Sequence, residues 1–416
     1  MPLPTQNRSV RAEQIVARCR ELARCSEREG STERLFLCPA MQRCHDKLRM
    51  WMETAGMTVR TDAVGNLRGL RFAEKKNAPR LLIASHLDTV PDAGAFDGVL
   101  GVVLGVALVE ELGVRSLPFD IEVIGFSEEE GVRFGAPFLG SQALVGKLDA
   151  SLLARQDANG VSVTEAIRGY GLDPARIGDA ALTERPLGYL EVHIEQGPVL
   201  EAEGLPLGIV LSIAGQTRGE MVFRGAANHA GTTPMALRRD ALVAAAEWLL
   251  AVEQYARGVD GLVATTGKIT ASPGVVNVIA SEVRASLDLR HRDDTVRHSA
   301  AKAIAALAGE IGARRSVDAE WRPGSEQASV PMDSNLASLL EQAMRSVGAQ
   351  SMKMVSGAGH DAMVVADTMP TALLFVRSPG GISHHPQESV LTTDVALALD
   401  VVVKFIESLA SEVGGE

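Results

Sequence analysis

The sequence has few cysteines, few aromatic residues and no long hydrophobic run. Of its 416 residues, four are cysteine and 4% are aromatic. The longest apolar run, Gly98–Val109, is followed by two glutamates and is far shorter than the roughly 20 residues of a membrane-spanning helix. Residues 1–16 contain arginines and a glutamate instead of the apolar stretch of a signal peptide. We therefore expect a cytoplasmic protein without a membrane span.

The cysteine pattern excludes two kinds of small stabilised domain. All four cysteines lie near the N-terminus and none forms a C-x-x-C motif. This pattern argues against both a zinc ribbon and a disulfide framework. We expect reduced thiols with a structural role at Cys19, Cys25, Cys38 and Cys44.

Clusters of basic residues are also missing. The chain carries 41 lysines and arginines against 52 aspartates and glutamates, a formal charge of −11. Because affinity for nucleic acid depends on neutralising phosphates, this balance argues against a nucleic-acid partner. The 40 glycines form neither a phosphate-binding loop nor a G-x-G-x-x-G fingerprint. With 46% hydrophobic residues, the chain is expected to form roughly two or three domains and to bind a small molecule.

A strand, a helix and a second strand alternate in the first third of the chain. Leu81–Ser85 and Ile121–Phe126 are short apolar runs, and the helical pattern of Gly98–Leu112 lies between them. This alternation predicts an α/β domain with parallel strands.

The C-terminal segment is expected to join the same core. Thr371–Val376 predicts another buried strand. A final helix, capped by Thr393 and Asp394, is expected to run to about Glu412.

Between these segments the pattern changes to a strand, a helix, two strands, a helix and a strand. The predicted elements are Glu220–Arg224, Asp240–Tyr255, Val263–Thr270, Val283–Arg290, Thr295–Ile311 and Val317–Trp321. This βαββαβ order is typical of the ferredoxin-like fold. We therefore expect one α/β domain formed by residues 1–214 and 324–416, with a ferredoxin-like domain inserted at 215–323.

Several histidines lie at strand ends or in glycine-rich loops. They are His86, His193, His360, His384 and His385. His86 follows an apolar strand, where open α/β sheets bind ligands. Asp88 is close enough in sequence to turn its side chain back onto the imidazole. Asp97 begins the next helix and has two interpretations, a helix N-cap or a metal ligand.

Three consecutive glutamates follow the second strand. The run Glu128–Glu130 is explained either as solvated surface acid or as part of a cation site. The cation site is favoured, because adjacent strands would bring these acids beside His86 and Asp97, and clustered carboxylates and imidazoles need a cation. Together with Glu191–Gly197 and Gly381–Pro386, the pattern describes a bridged two-metal site.

Taken in order, these motifs resemble a known family. They are His86-x-Asp88, Asp97-Gly98, Glu128–Gly131, His193–Pro198, His229–Met235 and Gly381–His384. From about residue 10 to about residue 412, the sequence resembles the M20 family of metal-dependent amidohydrolases, in the branch that cleaves ureido compounds. The family implies a catalytic α/β domain with a mixed sheet, interrupted by a smaller lid and dimerisation domain.

The resemblance implies roles for the metal ligands. Asp97 becomes the carboxylate that bridges two divalent ions. His86 and His193 complete the ligands of one ion, and Glu130 and His384 complete those of the other. This set suits zinc, manganese or cobalt alike.

The resemblance also implies the groups that carry out the reaction. Glu129 becomes the general base and Glu128 a supporting residue, a distinction that the family's pattern provides and spacing does not. The family's counterpart of His229 reaches across a dimer interface to stabilise an oxyanion. We therefore expect a homodimer in which His229 acts on the partner's site.

Further residues match the family's substrate contacts. Arg290 and Asn277 match the family's residues that hold the substrate's carboxylate and amide groups, and Gln216 resembles a further contact. An arginine fork suits a carboxylate because it forms two parallel hydrogen bonds. The roles of His360, Asp361 and His385 stay open.

Within this branch the resemblance implies hydrolysis of the ureido C–N amide bond of allantoate, with release of ammonia and carbon dioxide. Leu35–Ala40, Ile213–Arg218 and Leu374–Arg377 are closer to allantoate amidohydrolases. Phe96–Gly98 and the His229 motif are more like N-carbamoyl-L-amino-acid hydrolases. That activity and β-ureidopropionase are alternatives. A dipeptidase, an aminoacylase or a catalytically silent binding protein is a remoter one.

Overall fold

The computed structural model describes residues 5–414, and these residues form two compact units. The first unit comprises the described residues of Met1–Leu211 and Pro331–Glu416, and the second comprises Ser212–Val330. The predicted insertion, 215–323, lies inside the second unit, whose last long strand continues beyond the predicted end. Within the described range, no helix combines the length and the apolar character that crossing a membrane requires.

The elements are numbered in chain order. The strands are β1 (Thr58–Thr61), β2 (Leu67–Arg71), β3 (Arg80–His86), β4 (Asp120–Phe126), β5 (Gly188–Ile194), β6 (Leu207–Ile213), β7 (Gly215–Arg224), β8 (Val263–Thr265), β9 (Ile269–Ser272), β10 (Glu282–His291), β11 (Asp318–Gln327), β12 (Val330–Pro331), β13 (Lys353–Ser356) and β14 (Thr371–Val376). The helices are α1 (Thr5–Ala23), α2 (Pro39–Thr54), α3 (Val99–Leu112), α4 (Leu139–Leu144), α5 (Ala150–Leu153), α6 (Val163–Gly169), α7 (Val199–Ala202), α8 (Ala241–Arg257), α9 (Asp294–Arg315), α10 (Ser334–Ser346), α11 (Ala362–Val365) and α12 (Thr392–Gly414). Short 3₁₀ helices lie at Pro174–Ala180, Met235–Leu237 and Pro379–Gly381.

A mixed sheet forms the centre of the first unit. Among the described residues it has nine strands, in the order β1-β2-β4-β3-β5-β14-β6-β12, with β13 paired to β6. The central strands β4, β3, β5 and β14 are parallel, and β2 and β6 pair antiparallel on either side of them. The predicted α/β class with a mixed sheet is confirmed.

The chain order creates a switch point between β3 and β5. From β3 the chain passes through α3 into β4 on one side, whereas β5 pairs with β3 on the other side. The register between β3 and β5 runs from Leu81 opposite Gly188 to Ile83 opposite Leu190. Open α/β sheets bind ligands beyond the carboxyl ends of their strands at such a point.

Helix α3 packs closely against this sheet. Nearly all of its residues are buried, in keeping with its unbroken apolar sequence. A Cβ atom at Gly101 would lie 2.1 Å from the carbonyl oxygen of Val192, so glycine is needed for this approach to β5. Ile15 of α1 and Phe405 of α12 belong to the same core. Both ends of the described chain therefore contribute to one core, as predicted.

The cysteines are free thiols, in agreement with the prediction. Cys19, Cys25 and Cys44 are buried, and Cys38 is partly exposed. Burial raises the pKa of Cys44 to about 11, so the thiol stays protonated and unreactive at neutral pH.

The predicted cap of the final helix is wrong. Helix α12 begins at Thr392, so Thr393 and Asp394 lie inside its first turn, and it continues to Gly414. The carboxylate of Asp394 accepts hydrogen bonds from Nε and Nη2 of Arg377 at 2.8 and 3.0 Å. Because Arg377 directly follows β14, this acid joins the helix to the sheet instead of capping the helix.

The second unit contains an antiparallel sheet of five strands within the described residues. Their order is β11-β7-β10-β8, with β9 also paired to β10. The buried side chains of α8 and α9, among them Trp248 and Ile304, form one core with Leu287 and Leu289 of β10. The other face of β10 therefore carries Asp288 and Arg290, because side chains alternate along a strand.

The single predicted strand Val263–Thr270 is wrong, because the structure has two short strands there. Thr265 lies opposite Asp288 and Ile269 opposite Ala285, so one extra residue separates β8 from β9. Between them, the backbone N–H of Lys268 donates to the Ser286 hydroxyl at 3.0 Å. This side-chain acceptor replaces a bond of the strand ladder and accounts for the bulge.

Candidate metal centre

The candidate ligands come from the carboxyl ends of neighbouring strands. His86 is the last residue of β3, and His193 lies one residue before the end of β5. Glu129 and Glu130 follow β4, and Asp97 lies between β3 and α3. Buried apolar strands thus deliver polar side chains to one edge of the sheet, at its switch point.

Asp97 stands at the centre of this cluster. Its Oδ1 atom lies 3.4 Å from Nε2 of His86 and 3.2 Å from Nε2 of His193. Its Oδ2 atom lies 3.2 Å from Nε2 of His384. The N-cap interpretation is wrong, because Gly98 occupies the cap position of α3 and no side chain caps this helix. Oδ1 of Asp97 is buried and has no hydrogen-bond partner among the described residues.

In their neutral form, the two buried imidazoles present lone pairs to Asp97. Nδ1 of His86 donates to the carbonyl oxygen of Asp88 at 3.0 Å, and Nδ1 of His193 donates to that of Ile194 at 2.9 Å. With the proton on Nδ1, Nε2 of each neutral ring is an acceptor. The backbone N–H of Gly98 donates to Nε2 of His193 at 3.2 Å, which agrees with this tautomer. Two imidazole nitrogens and a carboxylate oxygen therefore converge, and this donor set fits a divalent cation.

A second group of possible ligands shares Asp97. The ligand atoms of Asp97, Glu130 and His384 all lie within 4.8 Å of one another. Burial and the neighbouring Asp97 raise the pKa of Glu130 to about 7. His384 has a φ of 54°, a conformation that costs energy in a non-glycine residue and is often found at functional sites. The structure thus brings all five predicted ligands together around one shared carboxylate.

Glu128 and Glu129 lie in different environments although they are adjacent in sequence. Glu129 belongs to a group of possible ligands with His86 and Glu130. Burial raises the pKa of Glu129 well above its usual value, although His86 opposes the shift. Burial and Asp88 also raise the pKa of Glu128, which is 1% exposed. Both acids are therefore held where a proton is more stable than it is in water.

Asp88 supports the site in a different way from the one predicted. Its main-chain carbonyl oxygen accepts the hydrogen bond from His86, whereas its carboxylate oxygen lies 3.6 Å from Nδ1 of that ring. The carboxylate instead accepts the backbone N–H groups of Glu129 and Glu130 at 2.9 and 3.0 Å. Asp88 therefore joins the end of β3 to the acidic loop that follows β4.

Three further residues orient Asp97, and the sequence did not single them out for this purpose. Nε2 of Gln196 and Oγ of Ser383 each donate to Oδ2 of Asp97 at 3.0 Å. Oε1 of Glu388 accepts the backbone N–H groups of Phe96 and Asp97 at 2.8 and 3.0 Å. Oγ of Ser383 also lies 3.2 Å from Oε2 of Glu388. Glu388 therefore joins the Asp97 loop to the loop that carries His384. The one sequence feature that could have pointed to Glu388 is its position four residues after His384.

A buried polar layer lies below the histidines. Glu191 accepts hydrogen bonds from the Ser85 hydroxyl at 2.9 Å and the Tyr189 hydroxyl at 3.0 Å. The ring of His360 lies 4.5 Å from that of His193, and its Nε2 atom is 2.9 Å from the Ser356 hydroxyl. These contacts fix the orientation of the His193 ring from behind.

Asp361 and His385 occupy different positions. Asp361 is buried, and burial together with the Glu191 carboxylate raises its pKa well above the usual value. His385 is exposed, and its Nδ1 atom accepts the backbone N–H of Gln387 at 3.1 Å. His385 therefore stabilises a turn and is not among the possible ligands that the described residues bring together.

The remaining predicted residues lie in the second unit as two pairs. His229 and Val278 form an antiparallel bridge, and Ala230 donates to the carbonyl oxygen of Asn277 at 2.9 Å. The loops of His229 and Asn277 are therefore adjacent. Arg290 lies opposite Gln216 where β10 pairs with β7.

Comparison with known proteins identifies the family. Residues 82–408 match the peptidase family M20/M25/M40. The chain belongs to this family. It is 38% identical to allantoate deiminase 1 of Glycine max, an alignment that covers 96% of this chain and 89% of that one. It is 37% identical to the N-carbamoyl-L-amino acid amidohydrolase of Geobacillus stearothermophilus, with 96% and 99% covered.

A solved amidase structure is similar to this chain over nearly its whole length. A hydantoinase/carbamoylase family amidase from Burkholderia multivorans superposes with a TM-score of 0.90 at 30% sequence identity, over 96% of this chain and 98% of that one. The chain is therefore a hydrolase that acts on amides, in a metal-dependent family, and its first unit holds side chains suited to metal ions.

The contacts of Glu388 predict a role in metal affinity. Glu388→Ala removes the acceptor of the Asp97 N–H and should weaken Mn²⁺ binding about 10- to 100-fold, as loss of groups that orient metal ligands commonly does. Glu388→Gln keeps an acceptor for both N–H groups and an amide that can donate to Ser383, so it should bind Mn²⁺ nearly as the wild type does. Calorimetric titration of chelated protein measures both, and wild-type affinity in Glu388→Ala would refute the role.

Proposed function

We propose that this M20 hydrolase cleaves the ureido C–N amide bond of allantoate and releases ammonia and carbon dioxide. The observation that carries the proposal is the buried, unpartnered Oδ1 of Asp97 between two imidazole nitrogens, with Glu129 close by. A relative named allantoate deiminase, 38% identical over nearly the whole chain, supports the substrate.

The proposed cofactor is a pair of divalent ions per chain, manganese, zinc or cobalt. His86, Asp97 and His193 would hold one ion, and Asp97, Glu130 and His384 the other. A divalent cation in such a site supplies a Lewis acid that polarises the carbonyl group under attack. The two groups of converging ligand atoms support this assignment.

Glu129 is proposed as the general base. A base must accept a proton at neutral pH, and burial raises the pKa of Glu129 well above its usual value. Its carboxylate would take the proton of the attacking water and deliver it to the leaving nitrogen. Glu130 is the better metal ligand of the two, because it belongs to two groups of possible ligands and Glu129 to one. One group joins Glu130 to Asp97 and His384, and the other contains His86, Glu129 and Glu130.

His229 is proposed to stabilise the oxyanion of the tetrahedral intermediate, from the partner subunit of a homodimer. Its Nδ1 atom accepts the backbone N–H groups of Gly231 and Thr232 at 3.0 and 3.2 Å. The proton of the neutral ring therefore resides on Nε2, which is free to donate. His229 is exposed, as a residue that acts on another chain must be.

The surface of the second unit supports a homodimer. Leu242 and Leu250 of α8 are 44% and 69% exposed, and Val263 of β8 and Ile269 of β9 are 57% and 45% exposed. β8 and β9 lie at the edge of their sheet, where unpaired strand groups favour pairing with another chain. Exposed apolar side chains beside a free sheet edge are typical of an interface. We propose that this lid and dimerisation domain has the ferredoxin-like fold.

A second candidate substrate is an N-carbamoyl-L-amino acid. The 37% identity to an N-carbamoyl-L-amino acid amidohydrolase, over 96% of this chain, favours it. Both substrates carry a ureido group and a carboxylate, so the metal centre and the proposed contacts from Gln216, Asn277 and Arg290 suit either one.

A substrate panel tests the proposed function. Chelated protein should be inactive, and after addition of Mn²⁺, Zn²⁺ or Co²⁺ it should release ammonia from allantoate. N-carbamoyl-L-amino acids, N-carbamoyl-β-alanine and dipeptides serve as the comparison substrates, with ammonia and free amino acid measured separately. If any of these compounds is hydrolysed faster than allantoate, that compound is the preferred substrate and the assignment to allantoate is wrong. Full activity without metal would contradict the metal centre.

Replacement of Glu129 tests the general base. Glu129→Gln should retain bound metal and lose about 10²- to 10⁴-fold in kcat, because proton transfer by a positioned carboxylate is typically of this magnitude. Glu128→Gln is the matched control, since it changes an adjacent buried acid. An active Glu129→Gln beside an inactive Glu128→Gln would reverse the two roles.

Subunit mixing tests the action of His229 across the dimer. His229→Ala and Glu129→Gln chains should each be nearly inactive alone, since one lacks the oxyanion donor and the other the base. After subunit exchange, each heterodimer contains one site with both groups, so activity should return. The gain should be easily measured, because loss of one oxyanion donor typically costs about 10² to 10³ in rate.

The same experiment has a clear negative outcome. If mass spectrometry shows complete exchange and activity never exceeds the sum of the two parents, His229 serves its own subunit or has a structural role.

A further inference from the structure

A carboxylate of this chain already occupies the proposed carboxylate-binding residues of the second unit. Nε and Nη2 of Arg290 donate to Oδ1 and Oδ2 of Asp288, both at 3.0 Å. Nε of Arg218 donates to Oδ2 of Asp288 at 2.8 Å, and Nε2 of Gln216 approaches the same oxygen at 3.3 Å. Asp288 is thus bound in the manner in which an arginine fork binds a ligand's carboxylate.

The strand register builds this cluster. Asp288 lies opposite Arg218, and Arg290 lies opposite Gln216, in the antiparallel pair of β10 and β7. All four side chains lie on the face of the sheet opposite to the core residues Leu287 and Leu289, because successive residues of a strand alternate between faces. The cluster is therefore fixed by the backbone and does not depend on a flexible loop.

The cluster is accessible and positively charged overall. The side chains of Asp288, Arg290 and Arg218 are 23%, 29% and 53% exposed, so a solute can reach them. Hydrogen bonds from Arg290 and Arg218 outweigh the effect of burial and lower the pKa of Asp288, so this acid is ionised at neutral pH. Two guanidinium groups thus share one carboxylate and retain attraction for a second one.

We infer that Asp288 is a specificity-determining residue that competes with the substrate's carboxylate for Arg290 and Arg218. This inference rests on the proposed function, which places Gln216 and Arg290 among the contacts of a substrate that carries a carboxylate. A ligand that carries a carboxylate must displace Asp288 from part of its hydrogen bonds or share the arginines with it. A neutral ligand gains nothing from that exchange. Asp288 therefore lowers the affinity for carboxylates and holds the arginines in position between turnovers.

Asp288→Asn is the direct test. The amide removes the negative charge and places N–H donors toward the arginines, which releases them to the ligand. We expect the KM of N-carbamoylglycine to fall roughly tenfold, since removing a like charge close to a ligand in a partly exposed site has an effect of this order. The KM of N-carbamoylglycinamide, which has the same ureido group and no carboxylate, should not change.

The chain offers a matched control on the same strand. Glu282 lies opposite Arg224 on β7, and its carboxylate binds Nε of Arg224 at 3.1 Å and Nε of Arg284 at 2.9 Å. Glu282→Gln therefore removes the same charge from a similar pair of arginines, outside the proposed binding residues. It should leave both KM values unchanged.

A binding measurement separates failure of this inference from failure of the proposed function. Acetate, titrated calorimetrically into the zinc-loaded protein, should bind more tightly to Asp288→Asn than to wild type or Glu282→Gln, and this readout needs no turnover. If no ureido compound is hydrolysed, the proposed function fails while the acetate result still tests Asp288. Equal acetate affinity in all three proteins, or equal KM changes for the acid and the amide, would overturn the inference.

Discussion

The first unit depends on the charge balance around one carboxylate oxygen. Oδ1 of Asp97 is buried beside Nε2 of His86 and of His193, and no described residue donates to it. Nδ1 of each ring donates a hydrogen bond to a main-chain carbonyl oxygen. Buried acceptors that face one another without a donor are costly, and a cation removes this cost. The arrangement therefore fits a cation-binding site better than a purely structural core.

The packing around Asp97 can be understood from this requirement. A Cβ atom at Gly98 would lie 2.4 Å from the His86 ring, so glycine is needed where α3 meets that histidine. Glu388 accepts the N–H of Asp97, and Asp88 accepts those of the two adjacent glutamates. These bonds position the ligands through the main chain, where a small shift moves a whole side chain.

Much of this architecture could be predicted from local sequence. The strands that end at His86 and at Val376 are continuous apolar runs, because both faces of a central parallel strand are buried. The bulge between β8 and β9 could not be predicted, since it depends on a hydroxyl group of Ser286 on a neighbouring strand. The role of Asp394 could not be predicted either, because it depends on Arg377. In both cases a contact outside the local segment overrides a sound local preference.

In the candidate site, the types of residue could be predicted from the sequence, whereas the contacts between distant residues could not. The residue types near Asp97 were predictable, because histidines and acids at strand ends are unusual. The bond between Glu388 and Asp97 joins positions 291 residues apart, which no local pattern encodes. Spacing could also not separate Glu128 from Glu129, because their environments differ only through the fold of the loop that Asp88 holds.

The separation of acidic and basic clusters has a physical reason. A substrate that carries a carboxylate needs cationic groups, but an arginine beside Asp97, Glu129 and Glu130 would pair with those acids and compete with metal ions for them. Asp288 shows how readily an arginine fork takes the nearest carboxylate. A chain that binds metal ions through carboxylates and a substrate through arginines must therefore keep these groups on separate elements. The first unit carries the proposed acidic ligands and the second carries Arg218 and Arg290, which meets this requirement.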